Sequence, residues 1–217
     1  MEKTVAHIWP ALLDGLITTL TISLAALLLG APLALLLAAA GRSGPWVKAL
    51  AGIYLSFWRG TPILVQLLVI FYILPFVGLE LEPVVAATVA LALNTAAFQS
   101  EIYRAGLQAI PKGEIEAARM LGLSPGRIFL HIEAPQAFRT MLPALVGEMQ
   151  ALVKNSSLVS VIAVTDLTRC AQQVAASTFR PLEAYASALL LYVVVGMLLA
   201  AVGLLIERRL SHRSEGQ

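Results

Sequence analysis

Cysteine is almost absent from this chain. Cys170 stands alone, so no internal disulfide can form and no thiolate cluster can hold zinc; its expected role is that of a small apolar residue. Histidine is nearly as scarce. His7, His131 and His212 all fall outside the long apolar runs, which removes the usual axial ligands of a membrane haem. They are also too few to assemble a Ser-His-Asp or Cys-His constellation. Charge is thin, with 15 basic and 13 acidic residues and a formal net charge of +2. No basic run is long enough to grip a nucleic acid. The phosphate-cradling Gly-x-x-x-x-Gly-Lys-Ser/Thr loop does not occur, so nucleotide hydrolysis by this chain is not expected. Neither are a metal, a cofactor or an enzymatic activity.

Apolar residues are what the chain has in excess. They make up 59% of it, and charged residues only 13%, against roughly 45–50% and roughly 25% in soluble proteins. A soluble fold of 217 residues would leave much of that excess as exposed patches, whereas a bilayer solvates it. A crossing helix needs about 20 mostly apolar residues. Five stretches qualify in whole or part: residues 16–40, 62–77, 83–100, 138–164 and 184–206. The fourth is interrupted by Glu148 and Lys154, and the second is short. Residues 46–58 before it are either half of a tilted span or a separate helix on the membrane surface, and the surface helix is favoured. Pro62 pushes Thr61 out of helical geometry in both cases. The first stretch is longer than a signal-peptide core and follows mixed charge, so it is expected to stay in the membrane. The fold expected is an all-α membrane protein with five transmembrane helices.

Lys and Arg in the short loops set the orientation. Arg42 and Lys48 follow the first span; Arg104, Lys112, Arg119, Arg127 and Arg139 follow the third; Arg208, Arg209 and Arg213 follow the fifth. Glu80 and Glu82 lie between the second and third spans with no positive residue. The N-terminus is therefore expected outside and the C-terminus in the cytoplasm, with Lys3 a minor exception. Residues 165–183, where Arg169 and Arg180 balance Asp166 and Glu183, read as a short external helix and loop. Trp9, Trp46 and Trp58 near span ends fit interfacial anchors.

The cytoplasmic connection 110–135 is too polar to span and well punctuated. Pro111-Lys112-Gly113 breaks the preceding helix, and residues 114–121 read as about two helical turns. Glu114 and Glu116 lie near the positive helix end and Arg119 near the negative one. Gly122 is placed to end the helix as a left-handed cap. Ser124 and Pro125 open a second helix, which Pro135 ends or bends into the fourth span. So short a helix needs support from the rest of the chain or from a partner.

Glu116-Ala117-Ala118, then Gly122 after three residues, then Ile132 and Pro135, resemble the cytoplasmic "EAA" loop of bacterial ABC-importer permeases. Ala134 departs from that pattern, which usually has Leu there. Arg59-Gly60-Thr61-Pro62 with Gln66, Ile110-Pro111-Lys112-Gly113, residues 154–160 and Arg180-Pro181-Leu182-Glu183 narrow the resemblance to the polar amino-acid branch. The resemblance runs from the first span to Leu210. It implies that Glu116, Ala117, Ala118, Arg119, Leu121 and Gly122 form a coupling helix that docks on an ATP-binding subunit. It further implies two permease subunits, identical or sibling, two ATP-binding subunits and an external solute-binding protein, in a bacterial inner membrane.

Polar groups at membrane depth usually face a cavity or a partner. Glu148 and Lys154 are six residues apart and so lie on different faces of a straight helix, which argues against a simple ion pair. A break near Lys154 would line a water-filled cavity. Lys154, Asn155 and Ser156 are candidates for the translocation path, against a reading in which Lys154 snorkels to the interface. Glu148 is a candidate for substrate contact or for a subunit interface. Asn94, Thr95 and Gln99 could take the zwitterionic backbone of an amino acid, although such residues more often join helices. Glu101 and Arg104 read as a structural pair. Two rival readings are an ion-driven transporter, which would show repeated halves and a midplane carboxylate site, and a membrane scaffold, which would need no polar groups at depth.

Overall fold

A computed structural model describes residues 2–41 and 43–211, with side chains from Trp9 to Arg209. Arg42, His212 and Arg213 lie outside the described residues, as do the side chains of Lys3 and His7. Among the described residues there are helices and turns and no strand.

Helix α1 (Glu2–Ala40) begins well before the apolar run at residue 16 and continues through Pro10 and Pro32. Helix α2 (Pro45–Gly60) is a helix of its own, and α3 (Ile63–Ile73) follows with a 3-10 turn, Leu74–Val77. The two meet at 104°. The cause is local: Thr61, before Pro62, is extended at φ −113° and ψ 149°. Trp46, Leu50, Ile53 and Phe57, at helical spacing, form an exposed apolar stripe on α2. Trp58 is half-buried against the main core, with its ring packed on Tyr54 and Phe57.

Helix α4 (Pro83–Gln108) is the most enclosed element, with Ala86, Ala87, Ala90, Ala96 and Ala97 all buried. Small side chains allow helix backbones to approach closely. After it come α5 (Lys112–Met120), the single turn α6 (Pro125–Ile128) and α7 (Ala134–Asn155). A π-helical turn, Phe129–Glu133, links α6 to α7 without a break. This wider turn accommodates Pro135, which has no N–H to give and whose ring would crowd a tighter one. Past Asn155 the helix tightens into a 3-10 segment, Ser156–Ile162, which is the break expected near Lys154. Asp166 caps α8 (Leu167–Thr178) by accepting the backbone N–H groups of Thr168 and Arg169, and α9 (Pro181–Ser211) completes the chain.

Contacts between helices fix their relative directions. A side chain on Gly30 of α1 would meet the Ala92 carbonyl and one on Gly41 the Arg104 side chain, so α1 and α4 run parallel. Thr95 pairs with Glu148, and Gly106 lies against Met141, so α7 is antiparallel to α4. Gln150 reaches the Gly196 carbonyl, and Gly203 lies against Val146, so α9 is antiparallel to α7. Thus α1, α4 and α9 share one direction. Residues 43–82 must then carry the chain back along α4.

Two cores result. The larger joins Ile22 and Ala26 of α1, Leu67 and Ile70 of α3, Ala86 to Ala92 of α4, and Leu152 to Val164. The second packs Leu12 on Leu167, Cys170, Ala171, Val174, Ala184 and Ala188. Cys170 acts there as a small apolar residue, buried against Gly15. Trp9–Ala40, Pro83–Gln108 and Pro181–Arg209 are each long and apolar enough to cross a bilayer. Pro45–Gly60 with Ile63–Val77, and Pro125–Ile162 with Leu167–Thr178, reach that only as bent pairs.

Candidate functional site

The connection after α4 is a closed structural unit. Gly122 has φ +78°, a conformation that costs a side-chain-bearing residue energy and glycine none. The Gly122 N–H donates to the Arg119 carbonyl and the Leu123 N–H to the Ala118 carbonyl, the two bonds of a Schellman cap. Ser124 occupies the N-cap of α6, but its hydroxyl makes no capping bond; its carbonyl accepts the Ile128 N–H instead. Ile110, Ala118 and Ile128 are buried beneath the unit, and Gln136 of α7 donates to the Glu114 carboxylate. The apolar residues of α5 therefore divide. Ala118 faces inward, while Met120 (90% exposed) and Leu121 (81% exposed) project from the tip. Glu116, Ala117, Arg119 and Gly122 are exposed around them.

The polar residues of α4 serve two separate clusters. Asn94 donates to the Trp58 carbonyl and to Gln66 Oε1, at 3.1 and 2.8 Å. Gln66 in turn donates to the Trp58 carbonyl and to the hydroxyl and carbonyl of Thr61. This cluster fastens the α2–α3 bend to α4. Gln99 belongs to the other. It donates to the Leu27 carbonyl of α1 and to Thr95, and accepts from Tyr103. The Thr95 hydroxyl donates to Glu148 Oε1 at 2.7 Å. Glu101 pairs with Arg104 and, at 3.6 Å, with Arg59.

Glu148 and Lys154 are not paired. Glu148 turns to α4, and the exposed Lys154 turns to a cleft of about 440 Å³ between α7 and α9, lined also by Gln150, Ser157, Tyr192 and Gly196. Ser156 is fully buried, and its hydroxyl donates to the Val153 carbonyl. The sequence alone gives Gln66 and Tyr103 no role and reads Trp58 only as an interfacial anchor, not as the carbonyl acceptor for Asn94 and Gln66. Gln66 stands four residues after Pro62, a spacing that puts it one turn into the next helix and within reach of the break. No signal in the sequence marked Tyr103.

The description "binding-protein-dependent transport system inner membrane component" matches residues 30–212. The chain is 40% identical over 206 residues to the arginine transport system permease protein ArtQ of Bacillus subtilis (strain 168), covering 93% of each. It is 36% identical over 216 residues to the glutamine transport system permease protein GlnP of Escherichia coli (strain K12), covering 97% of this chain and 99% of that one. The crystal structure of an amino acid ABC transporter with histidines superposes with a TM-score of 0.88 at 36% identity, covering 94% of this chain and 96% of that one. The interleaved helices and the capped loop after α4 thus accompany a match along nearly the whole chain, which belongs to the family of binding-protein-dependent transport system inner membrane components.

Proposed function

We propose that this chain is the permease subunit of an ATP-driven importer of polar amino acids in a bacterial inner membrane. It crosses the bilayer five times, with α1, α4 and α9 running from outside to cytoplasm and the two bent pairs returning. The basic loops then fall together with the unit at residues 110–135 on the cytoplasmic side. A second permease subunit, identical or sibling, completes the path. A pair of ATP-binding subunits hydrolyses ATP, and an external solute-binding protein delivers the cargo.

The observation that carries this reading is the capped α5 unit with Met120 and Leu121 projecting from it. A rigid knob with an apolar tip and a charged rim is built to fill a groove on a soluble partner. Motion of the two ATP-binding subunits would pass through it into α4 and α7, which the unit joins. Glu148, Lys154 and Asn155 are the proposed path residues. Asn94 and Gln99 hold the helices that present them, and Ser156 is bonded within its own helix to the Val153 carbonyl. Cargo varies among the relatives, arginine for one and glutamine for another, and we assign selection of the side chain to the solute-binding protein.

The test is affinity capture of the chain from native membranes in mild detergent, beside a Met120→Glu/Leu121→Glu variant. Both residues are exposed, so the variant is expected to fold. A Walker-motif ATPase should accompany the native chain and be lost from the variant. If no ATPase accompanies the folded native chain, the importer reading fails and an ion-driven transporter replaces it.

A further inference from the structure

The polarity of the hydrogen bonds that reach Glu148 can be assigned from chemistry. The Leu27 carbonyl only accepts, so the Gln99 atom facing it at 3.2 Å is the NH2 group. Gln99 Oε1 is then the atom that accepts from the Tyr103 hydroxyl at 2.7 Å. Gln99 Nε2 also donates to Thr95 Oγ1, at 3.3 Å, so the Thr95 proton is free to go to Glu148 Oε1, at 2.7 Å. The three bonds from Tyr103 to Gln99, Gln99 to Thr95 and Thr95 to Glu148 all donate toward the carboxylate, while the Gln99–Leu27 bond branches off to α1. Thr95 is 0% and Gln99 1% exposed, so water does not compete for these bonds. Bonds aligned head to tail polarise one another, and one ending on a carboxylate is stronger than a neutral one. Glu148 Oε2 has no partner among the described residues, where no side-chain oxygen is both fully buried and unpartnered; Oε2 is therefore at least partly accessible.

We propose that Tyr103, Gln99 and Thr95 form a positioning relay on one face of α4, which fixes the Glu148 carboxylate by one oxygen and leaves the other to receive the ammonium group of a passing amino acid. This rests on the reading of Glu148 as a path residue. The relay spans about 12 Å of α4, and its Gln99–Leu27 bond ties it to α1. Carboxylate placement is thereby coupled to the packing of three helices rather than to the rotamer of one side chain.

The experiment uses the complete complex in vesicles, with saturating solute-binding protein and tritiated arginine, glutamine or glutamate. Glu148→Gln is expected to lower the uptake rate at least about tenfold, and Thr95→Val, which keeps the shape but removes the hydroxyl, about fivefold. Thr95→Ser should stay within about twofold of native. On a Glu148→Gln background, Thr95→Val should cause no further loss, because its target is already gone. An equal further loss there means a packing role and overturns the relay, as does full activity of Thr95→Val. If Thr95→Val does not assemble, Tyr103→Phe makes the same comparison from the far end of the relay. Native uptake of none of the three amino acids, or an unaffected Glu148→Gln, fails one step earlier, at the path reading, and takes the relay with it.

Discussion

Single residues decide the geometry of the loop. Gly122 adopts φ +78° with open space around its Cα, so only backbone strain opposes a side chain there. Gly122→Ala is expected to cost about 1–2 kcal/mol. It should raise amide hydrogen exchange in residues 112–124 by about 5–30-fold, with little change in α1 or α9. Gly30 is constrained in the other way. A Cβ there would lie 2.8 Å from the Ala92 carbonyl, which is backbone and cannot swing aside. Gly30→Ala should destabilise the folded protein by about 1–3 kcal/mol, read as a lower Tm in detergent. Gly122 is legible in the sequence because its constraint is local, a glycine directly after an amphipathic stretch. Gly30 is not, because its constraint comes from a helix more than sixty residues downstream.

At the scale of elements, breaks were easier to read than fastenings. Pro62 and the Pro111-Lys112-Gly113 run act on their immediate neighbours, so the ends of α2 and α4 follow from the residues themselves. The bonds that hold the resulting pieces together do not. Asn94 and Gln66 are 28 positions apart, and Thr95 and Glu148 are 53 apart. Polar residues in apolar helices signal that a partner exists without naming it. Gln66→Leu tests one such fastening. It leaves the Asn94 amide without its side-chain acceptor in an apolar setting, at a cost of about 1–3 kcal/mol. The expected result is a lower Tm and faster proteolysis near Thr61, with α8 and α9 unaffected. Pro135 was read as an end or a bend because its ring and missing N–H oppose a regular helix. The widened turn before it removes that conflict.

For the whole molecule, the proposed five-pass topology puts the basic loops on one side and runs α1, α4 and α9 in one direction across the bilayer. Basic loops alternate with others along the sequence. Cys170 is buried, so Cys170→Ala provides a background for single-cysteine labelling. Cysteine at Ser43 or Gly126 should react with an impermeant maleimide only in inside-out vesicles, and cysteine at Glu80 only in right-side-out ones. Reaction of Ser43 and Glu80 variants from the same side would overturn the five-pass reading. The three helices long and apolar enough to cross alone are legible in the sequence because length and apolar content are sums over a window. The 104° bend between α2 and α3 left residues 46–58 ambiguous, since an interrupted span and a surface helix have the same composition.

That bend also bears on how the protein is made. Three helices are long and apolar enough to cross a bilayer by themselves, whereas α2–α3 and α7–α8 meet that criterion only as bent pairs. A nascent chain that has emerged only as far as Gly78 holds α3 without α4, the helix that supplies its buried contacts and the Asn94 bond. On the five-pass reading, insertion of the second crossing therefore waits for α4. Chains arrested on the ribosome just before and just after α4 should differ in whether Glu80 reaches the outer side, making α4 the step at which the membrane domain commits to its topology.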